Sequence, residues 1–451
     1  MAQRHSLVHG ILRGLAAGLA AVLAVGLLAG PAYGQSCPAD PAWFNPNAPE
    51  PDPTTTRDTN CAIHQWAMQE FLFQVQTVDG LTRFLGLASP HALFLYSGDK
   101  PAPYPGGATT LFKMGKDMAR LHRTGKGNAA NAASPLVFLP RTLKTPNTTF
   151  DANTQAGSNS VLVDQQGQWA YYTASINKVY YDYVVNKGIY TLSAFLSAPP
   201  QSTFPAGAIE TKSSWRIAVK DGTTYIPNAA KSYYTIEAQV CKDESCKSFV
   251  PATMALVGLH VVGLIQGHPE MIWATFEHSL NTPDCKNTPS ADARYSFYKA
   301  GQNCGTSPFW DTCNKASTDK TTPSEICRAH PQGEPEGSQG NTANILSLNQ
   351  SFHQLLPAGS IWTSYEYASA VWTTGKVGPN GLIVLDDSEI RGSKKAANTS
   401  LESFTQEQNC LHCHTYQPLQ IGTCFGKRDD PNAWKNLYSS HLFGLLCKTG
   451  N

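Results

Sequence analysis

Met254-Ala255-Leu256-Val257-Gly258-Leu259-His260-Val261-Val262-Gly263-Leu264 is a continuous apolar run whose one ionisable side chain is His260. Without alternation, and bounded by polar text, it reads as a buried strand. The stretches around it keep to the same theme. Ala208 to Val219 and Tyr233 to Cys241 alternate as strands, and Trp273-Ala274-Thr275-Phe276-Glu277-His278 follows as a short one. Further upstream, Ser160 to Asp164, a Gln166-Gly167 turn and Trp169 to Ile176 spell a hairpin. The core of the chain is therefore expected to be strand-rich.

Helices are fewer. Asp58-Thr59-Asn60-Cys61 caps a pattern in which Ile63, Trp66, Ala67, Phe71, Leu72 and Val75 recur at three and four. Tyr180 to Leu196 is apolar at helical spacing, and Asn344 to Leu356 is a further candidate. Thr399 to Gln408 and Trp434 to Leu446 are expected to be helical, the latter as a closing amphipathic helix. Thirty-six Gly and thirty Pro call for many turns. A net charge of +1 with 15% charged residues gives no electrostatic case for nucleic acid.

Near the C-terminus stands Cys410-Leu411-His412-Cys413-His414. Cys-x-x-Cys-His is the attachment pattern of a c-type haem. Two thiols at this spacing reach both vinyl groups from one turn, and the following imidazole supplies the proximal iron ligand. Twelve Cys and thirteen His leave a chance expectation of roughly 0.01 such matches. A zinc site from Cys410, Cys413, Cys424 and Cys447 is the rival reading, but its second pair is not Cys-x-x-Cys. A redox dithiol at Cys410 and Cys413 lacks the βαβ context that such a motif normally follows.

The N-terminus agrees with export. Arg4 and Arg13 flank a polar start, Leu15 to Leu28 is rich in Ala, Leu, Val and Gly, and Ala32-Tyr33-Gly34 offers small residues for cleavage before Gln35. A membrane anchor is the alternative, but the run ends in Gly30-Pro31, which suits a Sec-type signal better and leaves no stable membrane span after cleavage. Ten cysteines remain outside the motif, an even number that reads as disulfides between sequence neighbours: 37/61, 241/246, 285/304, 313/327 and 424/447. Asn281 to Ala343, polar and rich in Gly and Pro, would be ordered by four of them.

A haem iron needs a second ligand or an open position. A Met downstream of His414 is excluded, because the last Met is Met271. His278 leads the distal candidates, beside Glu277 and among aromatic residues; His260 and His441 follow, with an upstream Met or no ligand as alternatives. Glu210 and Lys212, neighbours on one strand face, read as a solvated pair, and His64 as a surface or structural residue. There is no Gly-rich nucleotide loop, no G-x-S-x-G and no H-E-x-x-H, and no catalytic residue is assigned.

Several stretches carry a resemblance. They are Gln155 to Ser158 with Leu162 to Gly167, Phe204 to Trp215, Leu256 to His260, Trp273 to His278, and Ala397 to Glu402 ahead of the Cys-x-x-Cys-His motif. Together they resemble a broad group of exported bacterial proteins known as "cytochrome c family protein", over most of residues 155–445. The resemblance implies one covalent haem c at the end of a large companion domain, adds weight to His260, Glu277 and His278, and implies no reaction or substrate.

The expectation is thus an α+β fold stapled by disulfides. Residues 1–34 form a signal peptide, 35–395 a strand-rich body with long loops, and 396–451 a small C-terminal α-helical c-type haem unit. Cys410 and Cys413 anchor the haem and His414 ligates its iron. The favoured function is periplasmic or secreted electron transfer with an unidentified redox partner protein. A peroxidase-like haem oxidoreductase and a haem-based sensor or binding protein are the rivals, and the large body is the argument for them.

Overall fold

The computed structural model describes residues 37–78, 80–94, 100–104, 136–138, 161–242, 248–287, 289–290, 292–304, 312–316, 319, 321–333, 340–411 and 435–448. The expected signal peptide lies outside them, as do Cys246, Cys413, His414 and Cys424. Residues Ser36–Asn451 form one compact unit. Among the described residues no helix is long and apolar enough to cross a membrane.

The longer strands gather into one sheet with a long central member, apart from a two-stranded ribbon of Thr77–Val78 and Leu81–Thr82. β1 is Tyr171–Ile176, β2 Ile209–Lys220, β3 Thr235–Cys241, β4 Phe249–Ile265, β5 His268–His278, β6 Tyr365–Thr373 and β7 Ile390–Gly392. Their order across the sheet is β7-β6-β5-β4-β2-β1, all antiparallel. β3 pairs antiparallel with the first part of β4, and on its other side the short strand Leu136–Phe138 joins it in parallel. The architecture is strand-rich with few helices, as an α+β class requires.

Each face of the sheet has its own cover. Helix α1, Asn60–Val75, starts at Thr59, whose side-chain oxygen accepts the Ala62 N–H at 3.1 Å. With α4, Asn341–Leu355, it buries Trp66, Phe71 and Phe352 against Trp215, Phe276 and Tyr367 on one face. On the other face lie α2, Lys178–Lys187, and α3, Leu192–Ser197, whose Tyr180 and Phe195 pack with Val262, Trp273, Tyr438 and Phe443. The stretch read as one helix from Tyr180 to Leu196 is broken after α2 by Gly188, in the left-handed region at φ 69°.

The second face is also covered by residues 393–411 and 435–446, which come down onto the middle of the sheet. A Cβ at Gly258 would lie 2.4 Å from Ser400 Oγ and 2.6 Å from Ser214 Oγ. On the opposite face a Cβ at Gly263 would lie 2.4 Å from Ile209 Cδ1 and 2.8 Å from the Trp66 ring. The two glycines of β4 are therefore the points where each layer comes closest to the sheet.

Three expectations need correcting. Residues 399–408 form turns, not a helix, because Glu277 takes the Thr399 N–H and Asn398 Oδ1 takes the Ser400 N–H, at 2.9 and 3.0 Å. Asn436–Ser439 and His441–Lys448 are 3-10 turns rather than an amphipathic α-helix; Asn436 is drawn out to the carbonyls of Gln201 and Gly381, and Ser440 to Glu210. The disulfides in the polar loop are nested, Cys285–Cys327 around Cys304–Cys313, while Cys37–Cys61 joins neighbours as expected. Nesting follows from Cys285 and Cys327 lying in adjacent backbone, where Cys285 N–H donates to Arg328 O at 2.9 Å.

Candidate functional site

The Cys-x-x-Cys-His motif enters the described structure at its first two residues. Asn409 Oδ1 accepts the Leu411 N–H at 2.8 Å, and Cys410 Sγ donates to the Ala396 carbonyl at 3.1 Å. Cys410 and Leu411 are buried in the apolar cluster that holds Val262, Trp273, Leu437, Tyr438 and Phe443. Trp273 is fixed there by its indole N–H, which donates to Ser439 O at 3.1 Å.

Beside this cluster runs a buried polar band. Alternation along β2 puts Glu210, Lys212, Ser214 and Arg216 on one covered face, Glu210 meeting Ser440, Lys212 and Ser214 meeting Glu402 and Ser400, and Arg216 meeting Asp164 and Ser296, which corrects the reading of Glu210 and Lys212 as a surface pair. Lys212 stands opposite His260, and His260 opposite Thr275. Glu402 reaches down from the covering segment: its Oε1 bonds His260 Nε2 at 2.9 Å and lies 4.0 Å from Lys212 Nζ, and its Oε2 accepts the Asn398 N–H at 3.0 Å. Burial opposes the Glu402 charge, yet His260, Lys212 and the Asn398 N–H together hold its carboxyl below the usual carboxylate range. His260 Nδ1 is buried with no hydrogen-bond partner among the described residues. The His260 ring meets Trp273 edge-on at 6.0 Å, so the imidazole sits between the polar band and the apolar cluster of Cys410.

The band is held from below by a second network. Glu277 Oε1 accepts from Arg328 Nε at 2.7 Å, and its Oε2 accepts both the N–H and the hydroxyl of Thr399. Arg328 also pairs with Asp284 at 2.9 Å, and its neighbours grip the same segment: Gln406 bonds Cys327 O and the Ala329 N–H, each at 2.9 Å. The disulfide loop thus fixes the backbone that leads into Cys410. The Sγ atoms of Cys304, Cys313 and Cys327 lie within 4.8 Å of one another, but all three are engaged in the nested disulfides, so no thiolate is left there for a metal.

The three distal candidates part ways. His278 sits on the opposite face of β5 from Glu277, against Tyr233 and Tyr365, neither of which belongs to the cluster of Cys410. Its Nε2 bonds Ser232 O at 2.8 Å, its Nδ1 accepts the Leu280 N–H at 3.1 Å, and its ring stacks on Tyr233 at 3.9 Å. Both nitrogens are engaged, and burial pushes its pKa down to about 4 despite the Ser232 bond. The geometry gives His278 a structural role. The side chain of His441 lies outside the described residues. His260 remains. Among the described candidates it is the one on the Cys410 side with a nitrogen to offer.

Sequence reading passed over Glu402, Lys212 and Asn398 as site residues. The available signal was the polar alternation of β2 set against the lone His of β4; on a strand with both faces covered, such polar residues face a partner rather than water. The chain matches no family model, no curated protein and no solved structure.

Proposed function

We propose that this chain is an exported c-type haem protein that transfers electrons through one covalently bound haem. Cys410 and Cys413 would form the thioethers and His414 would hold the iron. The observation that carries the reading is the setting of Cys410: a buried thiol at the head of Cys-x-x-Cys-His, in a wall of Trp273, Tyr438, Phe443, Val262 and Leu411 suited to a flat apolar macrocycle. When bound, the haem supplies one-electron chemistry. The chain's own residues supply the apolar wall and a rigid approach to it, through the Glu277, Arg328 and Gln406 contacts. Export is supported by the sequence of the N-terminus and by disulfides such as Cys37–Cys61.

A second reading, a haem oxidoreductase, is favoured by one specific observation, the unpartnered buried nitrogen of His260. A haem-stained denaturing gel and spectra with and without CO test both. Covalent haem with a low-spin spectrum indifferent to CO supports the carrier. A high-spin spectrum that shifts with CO supports the oxidoreductase. Absence of covalently retained haem overturns both.

A further inference from the structure

We infer that His268 is a pH-sensitive clasp: protonated and bonded at both ring nitrogens, it pins the segment 50–58 to the β4–β5 hairpin, and on losing a proton it lets that segment go. The clasp is independent of the haem.

The partners of the ring decide its charge. His268 Nε2 lies 3.1 Å from Arg57 O, and Nδ1 lies 3.0 Å from Glu270 Oε1. A carbonyl oxygen only accepts, so Nε2 carries a hydrogen. Glu270 Oε1 also takes the Thr373 N–H at 2.7 Å, so it meets the ring as an acceptor and Nδ1 carries a hydrogen too. A ring that donates twice is an imidazolium, and this one is buried against a buried carboxylate. His64 and His278 are also buried, but each receives one donor, the Tyr367 hydroxyl and the Leu280 N–H. Burial pushes both of those rings down to about 4. At His268 burial opposes the charge as well, yet Glu270, the Arg57 carbonyl and Asp58 outweigh it and raise the pKa above the ordinary histidine value.

The segment it holds is folded on itself rather than woven into the sheet. Asp52 accepts from Thr54 and Thr55, and Arg57 Nη1 donates to the carbonyls of Asp52 and Thr55. It meets the hairpin through Pro53 O, which accepts the Gln266 N–H at 2.8 Å, and through Arg57 O. Cys37–Cys61 closes a loop around it, so a released segment stays tethered.

Deprotonation breaks the clasp on the Arg57 side. Glu270 Oε2 is buried with no hydrogen-bond partner among the described residues, so losing the Nδ1 hydrogen would strip a carboxylate that is already poorly satisfied. The neutral ring therefore keeps Nδ1–H and turns an Nε2 lone pair on Arg57 O. Because the folded pKa is raised, the stability that the clasp contributes is present below about pH 6.5 and is lost as pH rises through the folded value. The other charges of this corner are Asp58, Arg57 with Asp52, and Glu70 of α1, which burial and Glu50 push up to about 8. Past the end of β6, Lys376 is paired with Glu389 at 2.8 Å. Glu70 titrates in the same range, so its variant is the control.

Arg57–Asp58 is a trypsin site whose scissile carbonyl is the one that His268 holds. The experiment follows cleavage after Arg57 in the full chain from about pH 6 to about pH 9, by mass spectrometry after reduction of Cys37–Cys61, relative to a free peptide of the same sequence. A hydrogen bond to a charged group biases local opening by about tenfold or more. The relative rate is expected to rise about 10-fold with pH in the wild type and to be high and flat in His268→Gln. Glu70→Gln is expected to keep the wild-type rise. A nitrogen-15 imidazole spectrum of the wild type should show both His268 nitrogens protonated at about pH 6. A neutral ring there overturns the inference without any variant. So does a relative rate that is flat in the wild type or rises equally in His268→Gln. A rise abolished by Glu70→Gln also overturns it, since the switch would then be Glu70.

Discussion

His64 shows how one buried ring reports on acid stability. Asn341 Oδ1 also accepts from Asn60 Nδ2 at 2.8 Å, so it acts as an acceptor toward His64, whose Nε2 is the donor, and Nδ1 receives the Tyr367 hydroxyl. The ring is neutral, and burial pushes its pKa down to about 4, outweighing the Asn341 bond. His278 is pushed to about 4 in the same way. The folded state then binds fewer protons than the unfolded chain between the two pKa values. The stability these rings contribute is present above about pH 6.5 and is lost as pH falls toward 4, by on the order of 3 kcal/mol for each ring. Urea unfolding between pH 7 and 4 should show this loss, and His64→Gln should remove about half of the slope that the two rings cause. The same scale explains why His278 looked attractive in the sequence. Glu277 beside it suggested a carboxylate partner, but consecutive strand residues point to opposite faces, so adjacency argued against the pairing. His260 was legible as a candidate, whereas its partner Glu402, 142 residues away, was not.

At the level of elements, the long strand β4 was legible as a buried strand because its run of apolar residues leaves no face for water. What single-sequence reading lacked was the cover. Polar alternation in β2 normally means solvent; here Ser440 over Glu210, the segment carrying Asn398, Ser400 and Glu402 over Lys212 and Ser214, and Asp164 with Ser296 over Arg216 turn that face into an interior. Gly258 is where this segment touches the sheet. Gly258→Ala would set a methyl against Ser400 Oγ, Ser214 Oγ and Asn398 Oδ1, all backbone-linked groups bonded to one another. The expected cost is about 1–3 kcal/mol, with the Asn398 to Glu402 turn lifted from the sheet. A melting curve gives the first effect. A weakened His260–Glu402 bond, seen as a change in the His260 imidazole nitrogen shifts, gives the second, and unchanged shifts would show that the segment is placed by other contacts.

Among the described residues, the sheet, the disulfide loop and the approach to Cys410 belong to one compact unit. The loop was legible as disulfide-ordered from its four cysteines, but their pairing was not, because pairing depends on which backbone segments run side by side. Arg328 makes the link physical: it bridges Asp284 in the loop to Glu277 on β5, and Glu277 in turn holds Thr399. The two disulfides should therefore differ in reach. Cys285 and Cys327 are 42 positions apart, a closure worth about 4 kcal/mol of unfolded-state entropy, against about 3 kcal/mol for Cys304 and Cys313, 9 positions apart. The larger difference should be local. Replacing Cys285 and Cys327 by Ser loosens Cys327 O and the Ala329 N–H, the two groups that bond Gln406, and so frees the segment ahead of Cys410. Hydrogen exchange should then rise across residues 396–411 in that double variant and stay near wild type when Cys304 and Cys313 are replaced. Equal exchange in the two variants would mean that the segment is held by the sheet alone, through Glu277, Asn398 and Glu402, and that the loop serves only its own stability.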